Sequence, residues 1–265
     1  MSWLKSFYKK LDKKYLESTT TKDIVEKILS PPTTKGKDSL ADYVRKLNPA
    51  VVGKASVYIC YSSSMLFKEF MESLIHYFEK SGEGDDVIVW IDFVSWNKHL
   101  QPSAELSEEW FTNTLKSMIS SVDKIVLIQS PWNSFLPLKR TWCLWELFCA
   151  LDTRRTLAVA MTAESENEVI RSIDGSVKGV VTDLHESIDS GKSECSESGE
   201  REKLLEVMQK SVGLVEVNKR VGHGLSGWLC EFYGKEYERR KRDLGEENEE
   251  TRKAEAILKA LDESR

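Results

Sequence analysis

The sequence lacks the motifs by which common nucleotide and metal sites are recognised. It has no GxxxxGK[ST] and no HExxH, and its only GxGxxG, Gly222–Gly227, lies inside a predicted helix rather than after a strand. A P-loop, a zincin site and a Rossmann cofactor site are therefore not predicted. The five cysteines are odd in number and form no CxxC pair. This pattern favours reduced thiols in a cytoplasmic protein, and we expect no metal.

The chain also has little net charge and no long hydrophobic run. Its formal net charge is −5, so it carries no excess of basic residues for binding nucleic acid. No apolar run approaches the length of a signal peptide or a transmembrane helix, and we expect no stable membrane insertion. What the chain does have is 40% apolar residues and eight tryptophans, which are enough for a sizeable core.

Short apolar runs alternate with stretches of helical spacing in the central part of the chain. Strands that alternate with helices form right-handed βαβ crossovers, so this order predicts an α/β fold with a parallel sheet of about five strands. The runs are nearly continuous in apolar residues, which is typical of a sheet between two helical layers, a three-layer sandwich. The predicted strands are Ser56–Tyr61, Val87–Phe93, Lys124–Gln129, Thr156–Met161 and a short Gly179–Val181; the predicted helices between them are Leu66–Lys80, Trp110–Ser120, Trp142–Leu151 and Ser165–Ser172.

Composition divides the chain into four parts. Residues 1–54 are predicted to be a helical lead-in, and residues 55–184 form the α/β domain. Residues 185–236 form a second helical part that begins with a polar, turn-rich and mobile loop. Residues 237–265 are predicted to be a charged helical tail.

One carboxylate requires an explanation. Glu146 lies in the sequence Trp142-Cys143-Leu144-Trp145-Glu146-Leu147, at the start of the helix that follows the third strand. A carboxylate among such neighbours is costly to bury unless it is paired or has a chemical task. Ligands of parallel sheets collect beyond the carboxyl ends of the strands, where this helix begins. From the residues alone, Glu146 is either a functional carboxylate or a glutamate that satisfies backbone N–H groups at the helix start.

The order of elements resembles a TIR (Toll/interleukin-1 receptor) domain over about residues 55–182. Val57–Ser62 looks like that family's opening box, a strand that ends in an aromatic residue and serine, and Trp142–Leu147 resembles the Trp-Cys-x-x-Glu-Leu stretch of plant and other enzymatic TIR domains. The second family box, a loop with Arg-Asp and Pro-Gly, is not recognisable, and residues 95–109 take its place. A likeness to TIR-like modules of algae and other protists is carried by Trp90–Phe93, Asn97–His99, Pro131-Trp132 and Pro137–Glu146.

The resemblance implies a flavodoxin-like fold and an NAD⁺ glycohydrolase in signalling or innate immune defence. Such enzymes cleave the bond between nicotinamide and ribose, with NAD⁺ or NADP⁺ as substrate rather than cofactor, and yield ADP-ribose or a cyclic form. It also implies that Glu146 is the catalytic carboxylate and that the TIR-like domain forms homo-oligomers. Two alternatives stay open, a non-catalytic adaptor that acts by homotypic self-association and a sensor that binds NAD⁺ without cleaving it.

Three tryptophans and an aspartate are candidates for binding the substrate near Glu146, at the carboxyl ends of the predicted strands. Trp96, Trp132 and Trp142 are suited to stack on nicotinamide or adenine, with anchoring of loops in the core as the alternative. Asp92, at the end of the second strand, is a candidate for binding a ribose hydroxyl, and capping of a turn is its alternative.

The remaining candidates would meet the phosphates. Arg140 is a candidate for the pyrophosphate, against the alternative of a solvated surface charge. Ser62 and Ser63 follow the first strand, where hydroxyl and amide donors at a helix start bind phosphate. Ordinary capping of that helix is the alternative for both serines.

Overall fold

Four parallel strands form a sheet at the centre of the fold. The computed structural model describes residues 1–34, 37–97, 106–196 and 199–264, and its strands pair in the order β2–β1–β3–β4. This order is that of the first four strands of flavodoxin-like sheets, so the structure is compatible with that fold. The predicted α/β class with a parallel sheet is confirmed. The strands are β1 (Val57–Cys60), β2 (Val89–Trp90), β3 (Lys124–Ile128) and β4 (Thr156–Ala160).

The sheet is buried on both faces, as the continuous apolar runs predict. Successive side chains of a strand point to opposite faces. Val57 and Ile59 of β1 therefore join one apolar core, whereas Tyr58 and Cys60 join the other. The two cores lie on either side of the sheet, which gives the fold its three layers.

The first helical layer comes from the N-terminal part of the chain and from the helices that follow β1 and β2. Thr20 begins one of its helices with a capping box, because its side chain and that of Asp23 each accept a hydrogen bond from the other residue's backbone N–H. The helix Phe67–Ser81 is followed by Gly82, whose φ of 72° is the left-handed conformation that favours glycine. The helices are α1 (Ser2–Lys10), α2 (Lys13–Leu16), α3 (Thr21–Ile24, continued by a π-helical turn Val25–Leu29), α4 (Pro31–Thr34), α5 (Leu40–Leu47), α6 (Phe67–Ser81) and α7 (Asp92–Ser95).

The second helical layer contains the rest of the helices, including the C-terminal ones. Their buried side chains form one core with Tyr58 and Cys60, so the C-terminal helices pack directly on the α/β unit. The helices are α8 (Leu115–Ser120, preceded by a π-helical turn Trp110–Thr114), α9 (Thr141–Asp152), α10 (Ala163–Gly175), α11 (Val177–Glu186), α12 (Glu200–Ser211), α13 (Leu214–Leu244) and α14 (Glu249–Glu263).

The predicted fifth strand is wrong. Gly179–Val181 lies inside α11, and Ser176 caps that helix by accepting a hydrogen bond from the N–H of Gly179. The buried residues Val180 and Leu184 are four positions apart, which is a helical spacing that outweighs the β-propensity of two adjacent valines. Within the described residues the sheet therefore has four strands.

The second strand is shorter than predicted. It covers only Val89–Trp90, and the chain turns into α7 at Asp92. The carboxylate of Asp92 accepts a hydrogen bond from the N–H of Phe93 at 2.6 Å, which stabilises this turn. The early end of β2 places Asp92 at the edge of the sheet.

Two observations concern the C-terminal part. The glycines of the GxGxxG match lie within α13, so they form no loop after a strand. The segment predicted as a mobile loop is bound to the start of α9 over its described part, where Glu194 O accepts from Thr141 N at 3.0 Å and Glu194 N donates to Lys139 O at 2.9 Å.

No helix among the described residues has the combined length and apolar content that a membrane span requires.

A buried ion-pair network joins α13 to α10. Arg240, with 8% of its side chain exposed, donates to Asp174 and to Glu236, each at 2.7 Å. Its neighbour Arg239 also pairs with Glu236, but 54% of its side chain is exposed. The two arginines share a partner and differ in burial.

We expect Arg240→Ala to lower the free energy of unfolding by about 3 kcal/mol, because it removes the buried charge that pairs with both Asp174 and Glu236. The matched change Arg239→Ala should cost less than about 1 kcal/mol, since water screens an exposed pair. Urea unfolding of both variants measures the difference. Equal losses of unfolding free energy in the two variants would show that the burial of Arg240 does not strengthen its ion pairs.

Candidate functional site

A cleft of about 200 Å³ opens at the carboxyl ends of β1 and β2, beside the start of α9. Ser63 follows β1, Asp92 follows β2, and Arg140 ends the connection after β3. Residues that follow each of the first three strands therefore line one cleft, as expected for a parallel sheet. The described lining residues are Lys22, Val25, Glu26, Tyr58, Ile59, Tyr61, Ser63, Trp90, Asp92, Phe93, Trp96, Trp110, Leu115, Arg140, Trp142, Cys143, Glu146, Ser196 and Glu200.

Glu146 lines this cleft and is half-buried. Burial raises the pKa of its carboxyl group to about 7, and the nearby charge of Asp92 acts in the same direction. Hydrogen bonds from Cys60 and Tyr58 and the charge of Arg140 lower the pKa, but by less. Glu146 thus exchanges its proton near neutral pH while in contact with the cleft.

The position of Glu146 in α9 excludes one of the two interpretations of this residue. Helix α9 begins at Thr141, so Glu146 is the sixth helical residue and lies beyond the first turn. A capping glutamate occupies the third helical position, which here is Cys143. Desolvation, and not the N-terminus of the helix, therefore determines the pKa of Glu146.

Tyr58, on strand β1, fixes the orientation of the Glu146 carboxylate. Its hydroxyl donates to Oε1 of Glu146 at 2.9 Å, and its ring stacks on Trp90 with centroids 4.4 Å apart. Burial raises the pKa of Tyr58 well above its ordinary value, so the phenol keeps its proton and remains a donor. The hydrogen bond therefore persists in both ionisation states of Glu146.

A second tyrosine holds Asp92. The hydroxyl of Tyr61 donates to Oδ1 of Asp92 at 2.5 Å, and the same oxygen accepts the N–H of Phe93. Asp92 thus stabilises the turn into α7, and it also lines the cleft. Its binding of a ribose hydroxyl stays a prediction.

Three tryptophans, which we call the tryptophan corner, form a wall of the cleft. Trp96 stacks on Trp110 at 4.9 Å, and Trp142 stands nearly perpendicular to both, at 6.1 and 6.2 Å between ring centroids. The indole N–H of Trp142 donates to Oε2 of the buried Glu200 at 2.9 Å. Glu200 begins α12, so the C-terminal part of the chain contributes to the cleft.

Two of the predicted site residues do not line the cleft. Trp132 is 5% exposed and packs in the core against Phe135 and Trp228 of α13. Ser62 is fully buried, and its hydroxyl lies 2.8 Å from that of Ser64. The other predicted residues are brought together in the cleft, namely Glu146, Ser63, Asp92, Trp96, Arg140 and Trp142.

Several residues of the site were missed from the sequence. Tyr58 and Tyr61 looked like ordinary members of a buried strand, and only the alternation along β1 could have placed Tyr58 on the face of α9. Glu200 lies 58 residues after its partner Trp142, and no local pattern connects them.

One group of side chains among the described residues could approach a metal ion. The sulfur atoms of Cys60 and Cys143 and a carboxylate oxygen of Glu146 lie within 4.8 Å of one another. Only the thiolate binds a metal, and burial raises the pKa of the Cys60 thiol well above its ordinary value. The thiol of Cys143 donates to the carbonyl of Tyr61 at 3.2 Å. Cys60 therefore keeps its proton, Cys143 already has a hydrogen-bond partner, and we assign no metal to the group.

Comparisons of the chain with protein-family models, with curated proteins and with solved structures gave no match.

The raised pKa of Glu146 predicts that this carboxylate destabilises the fold when it ionises. A carboxyl group ionises near pH 4.5 in the unfolded chain and near pH 7 in the folded protein, so the stability it contributes is complete below about pH 4.5 and is lost as the pH rises through 7. Glu146→Gln removes this penalty. We expect the variant to be more stable than the wild type near pH 8, by at most about 3 kcal/mol, and the difference to vanish towards pH 4.5.

Thermal or urea unfolding between these pH values measures the effect. Glu186→Gln, a change at an exposed position of α11, is the control and should leave the pH dependence unaltered. A Glu146→Gln variant that gains no stability near pH 8 would contradict the assigned electrostatics.

Proposed function

We propose that the protein is an NAD⁺ glycohydrolase that breaks the bond between C1′ of the ribose and the nicotinamide nitrogen. The observation that carries this proposal is the Glu146 carboxylate, which has a pKa of about 7 and is held by Tyr58 in a cleft with aromatic walls. The resemblance of the α9 sequence to enzymatic TIR domains points to the same activity.

Cleavage of the C1′–N bond needs an ionised carboxylate beside the ribose more than it needs an acid to protonate the leaving group. Nicotinamide in NAD⁺ is a cation, and it leaves as a neutral molecule when the electron pair of the C1′–N bond moves to its nitrogen. Positive charge then develops on the ribose, where an ionised carboxylate stabilises the transition state. The cationic substrate itself favours the ionised form of Glu146, since an opposite charge nearby lowers the pKa of a carboxyl group.

The size of the cleft suggests which half of the dinucleotide it holds. Its volume of about 200 Å³ is below the ~300–1,000 Å³ of typical ligand pockets, so the nicotinamide riboside half would enter and the rest would extend towards solvent. Trp142 precedes Glu146 by four residues on α9, and such residues are neighbours on one helix face. A ring against Trp142 would thus place C1′ near the carboxylate.

Other lining residues suit the remaining groups of the substrate. Asp92 would accept a hydrogen bond from a ribose hydroxyl, and Arg140 would pair with the pyrophosphate. Water then forms the new C1′–O bond and loses a proton, which yields ADP-ribose. Attack by the adenine of the same molecule instead yields a cyclic form. Both outcomes release nicotinamide, which is therefore the product to measure.

Removing the Glu146 carboxylate should reduce the release of nicotinamide at least about 100-fold, because the interaction strengthens in the transition state. Purified wild type, Glu146→Ala, Glu146→Gln and the control Glu186→Gln are incubated with NAD⁺ or NADP⁺, and nicotinamide is quantified by chromatography. Several protein concentrations are compared, since the resemblance implies self-association. Equal release by all four proteins would remove Glu146 from the mechanism. Self-association without release would favour the adaptor.

The pH dependence of kcat/KM should report the ionisation of Glu146 in the free enzyme. Because the ionised form is active, we expect kcat/KM to rise with pH through about 7 and then to level off. Tyr58→Phe removes a hydrogen bond that lowers this pKa, so its profile should move to higher pH. A profile that is flat through neutral pH, or one that Tyr58→Phe moves downward, would contradict the role of the pair.

A further inference from the structure

The charges that line the cleft are predominantly negative. Its described lining contains the acidic residues Glu26, Asp92, Glu146 and Glu200, against the basic residues Lys22 and Arg140. Lys22 and Glu26 pair with each other at 3.8 Å, so their charges offset, and Asp92, Glu146 and Glu200 remain against Arg140. The cleft therefore combines an excess of carboxylates with indole walls, and this combination attracts cations that are also flat and apolar.

The tryptophan corner has the geometry to receive a flat ring. Trp142 makes angles of 75° and 76° with the stacked pair Trp96 and Trp110. A planar ligand placed in such an angle can stack on one indole face while its edge meets another ring, the two arrangements that aromatic groups prefer. All three indoles are half-buried and line the cleft.

Glu200 gives this corner a charge preference. Glu200 is 4% exposed, and its carboxylate accepts the N–H of Trp142 at 2.9 Å. This hydrogen bond fixes the indole plane and increases the electron density of the ring, which strengthens its attraction for a cation. The same carboxylate lies at a position shielded from water, where water screens its interaction with a cation only weakly.

We propose that the tryptophan corner with Glu200 is a binding site for N-substituted pyridinium cations, which selects the positive charge of the ring and not only its shape. The inference deepens the proposed function, because the nicotinamide of NAD⁺ is such a cation while its reduced form and free nicotinamide are neutral. Cleavage of the C1′–N bond removes the ring's charge, so the corner holds the substrate ring more tightly than the released product.

The test compares two ligands that differ mainly in charge. 1-Methylnicotinamide is a pyridinium cation, whereas nicotinamide is neutral and nearly the same shape. Isothermal titration of the wild type should show about tenfold tighter binding of 1-methylnicotinamide. Trp142→Leu should abolish this preference, and Glu200→Gln, which keeps a hydrogen-bond acceptor for the indole, should reduce it by about threefold. Trp3→Leu in α1 is the control and should keep the preference.

Thermal unfolding confirms that each variant is folded, and Trp142→Phe, which keeps an aromatic face, should retain part of the preference. Equal affinity for the two ligands, no binding of either, or a preference unchanged in both Trp142→Leu and Glu200→Gln would overturn the proposal. These results are independent of catalysis. A charge preference without nicotinamide release would refute the glycohydrolase and leave the pyridinium site. Release of nicotinamide without a charge preference would refute the pyridinium site and leave the glycohydrolase.

Discussion

The site depends on the desolvation of one carboxylate. Glu146 is surrounded by protein on α9 and yet reaches the cleft, and burial raises its pKa to about 7. A bare carboxylate at that position would be free to turn away or to recruit water. The hydroxyl of Tyr58, held by stacking on Trp90, gives the carboxylate one fixed partner. The sheet thus supplies the orientation of Glu146, and the helix supplies its position.

The segments outside the α/β unit are part of the same arrangement. Glu194 pairs with the backbone on both sides of Arg140, and this contact leads the chain to Ser196 and Glu200 at the cleft. At the opposite end, Lys22 N donates to the carbonyl of Ser63 at 2.9 Å, which brings the N-terminal helices to the same cleft. The helical flanks are therefore walls of the site as well as layers of the core.

Much of the sheet could be predicted from the sequence because buried parallel strands are continuous apolar runs. The prediction of a fifth strand was wrong because Val180 and Leu184 have helical spacing, in a helix that Ser176 caps. Glu146 could be found because its chemistry and its neighbours lie within one short stretch. Trp132 was misplaced because α13, distant in sequence, covers it with Trp228. Such packing follows from the whole chain and leaves no local signal.

The most direct measurement of the central claim is the titration of the Glu146 carboxyl group by ¹³C NMR, assigned by comparison with Glu146→Gln. The structure predicts a midpoint near pH 7 in the free protein, and a lower midpoint when 1-methylnicotinamide is bound, because a cation next to the carboxylate favours its ionised form. A midpoint near the ordinary value of 4.5, unchanged by the cation, would show that Glu146 is a solvated surface group and would contradict the proposed site.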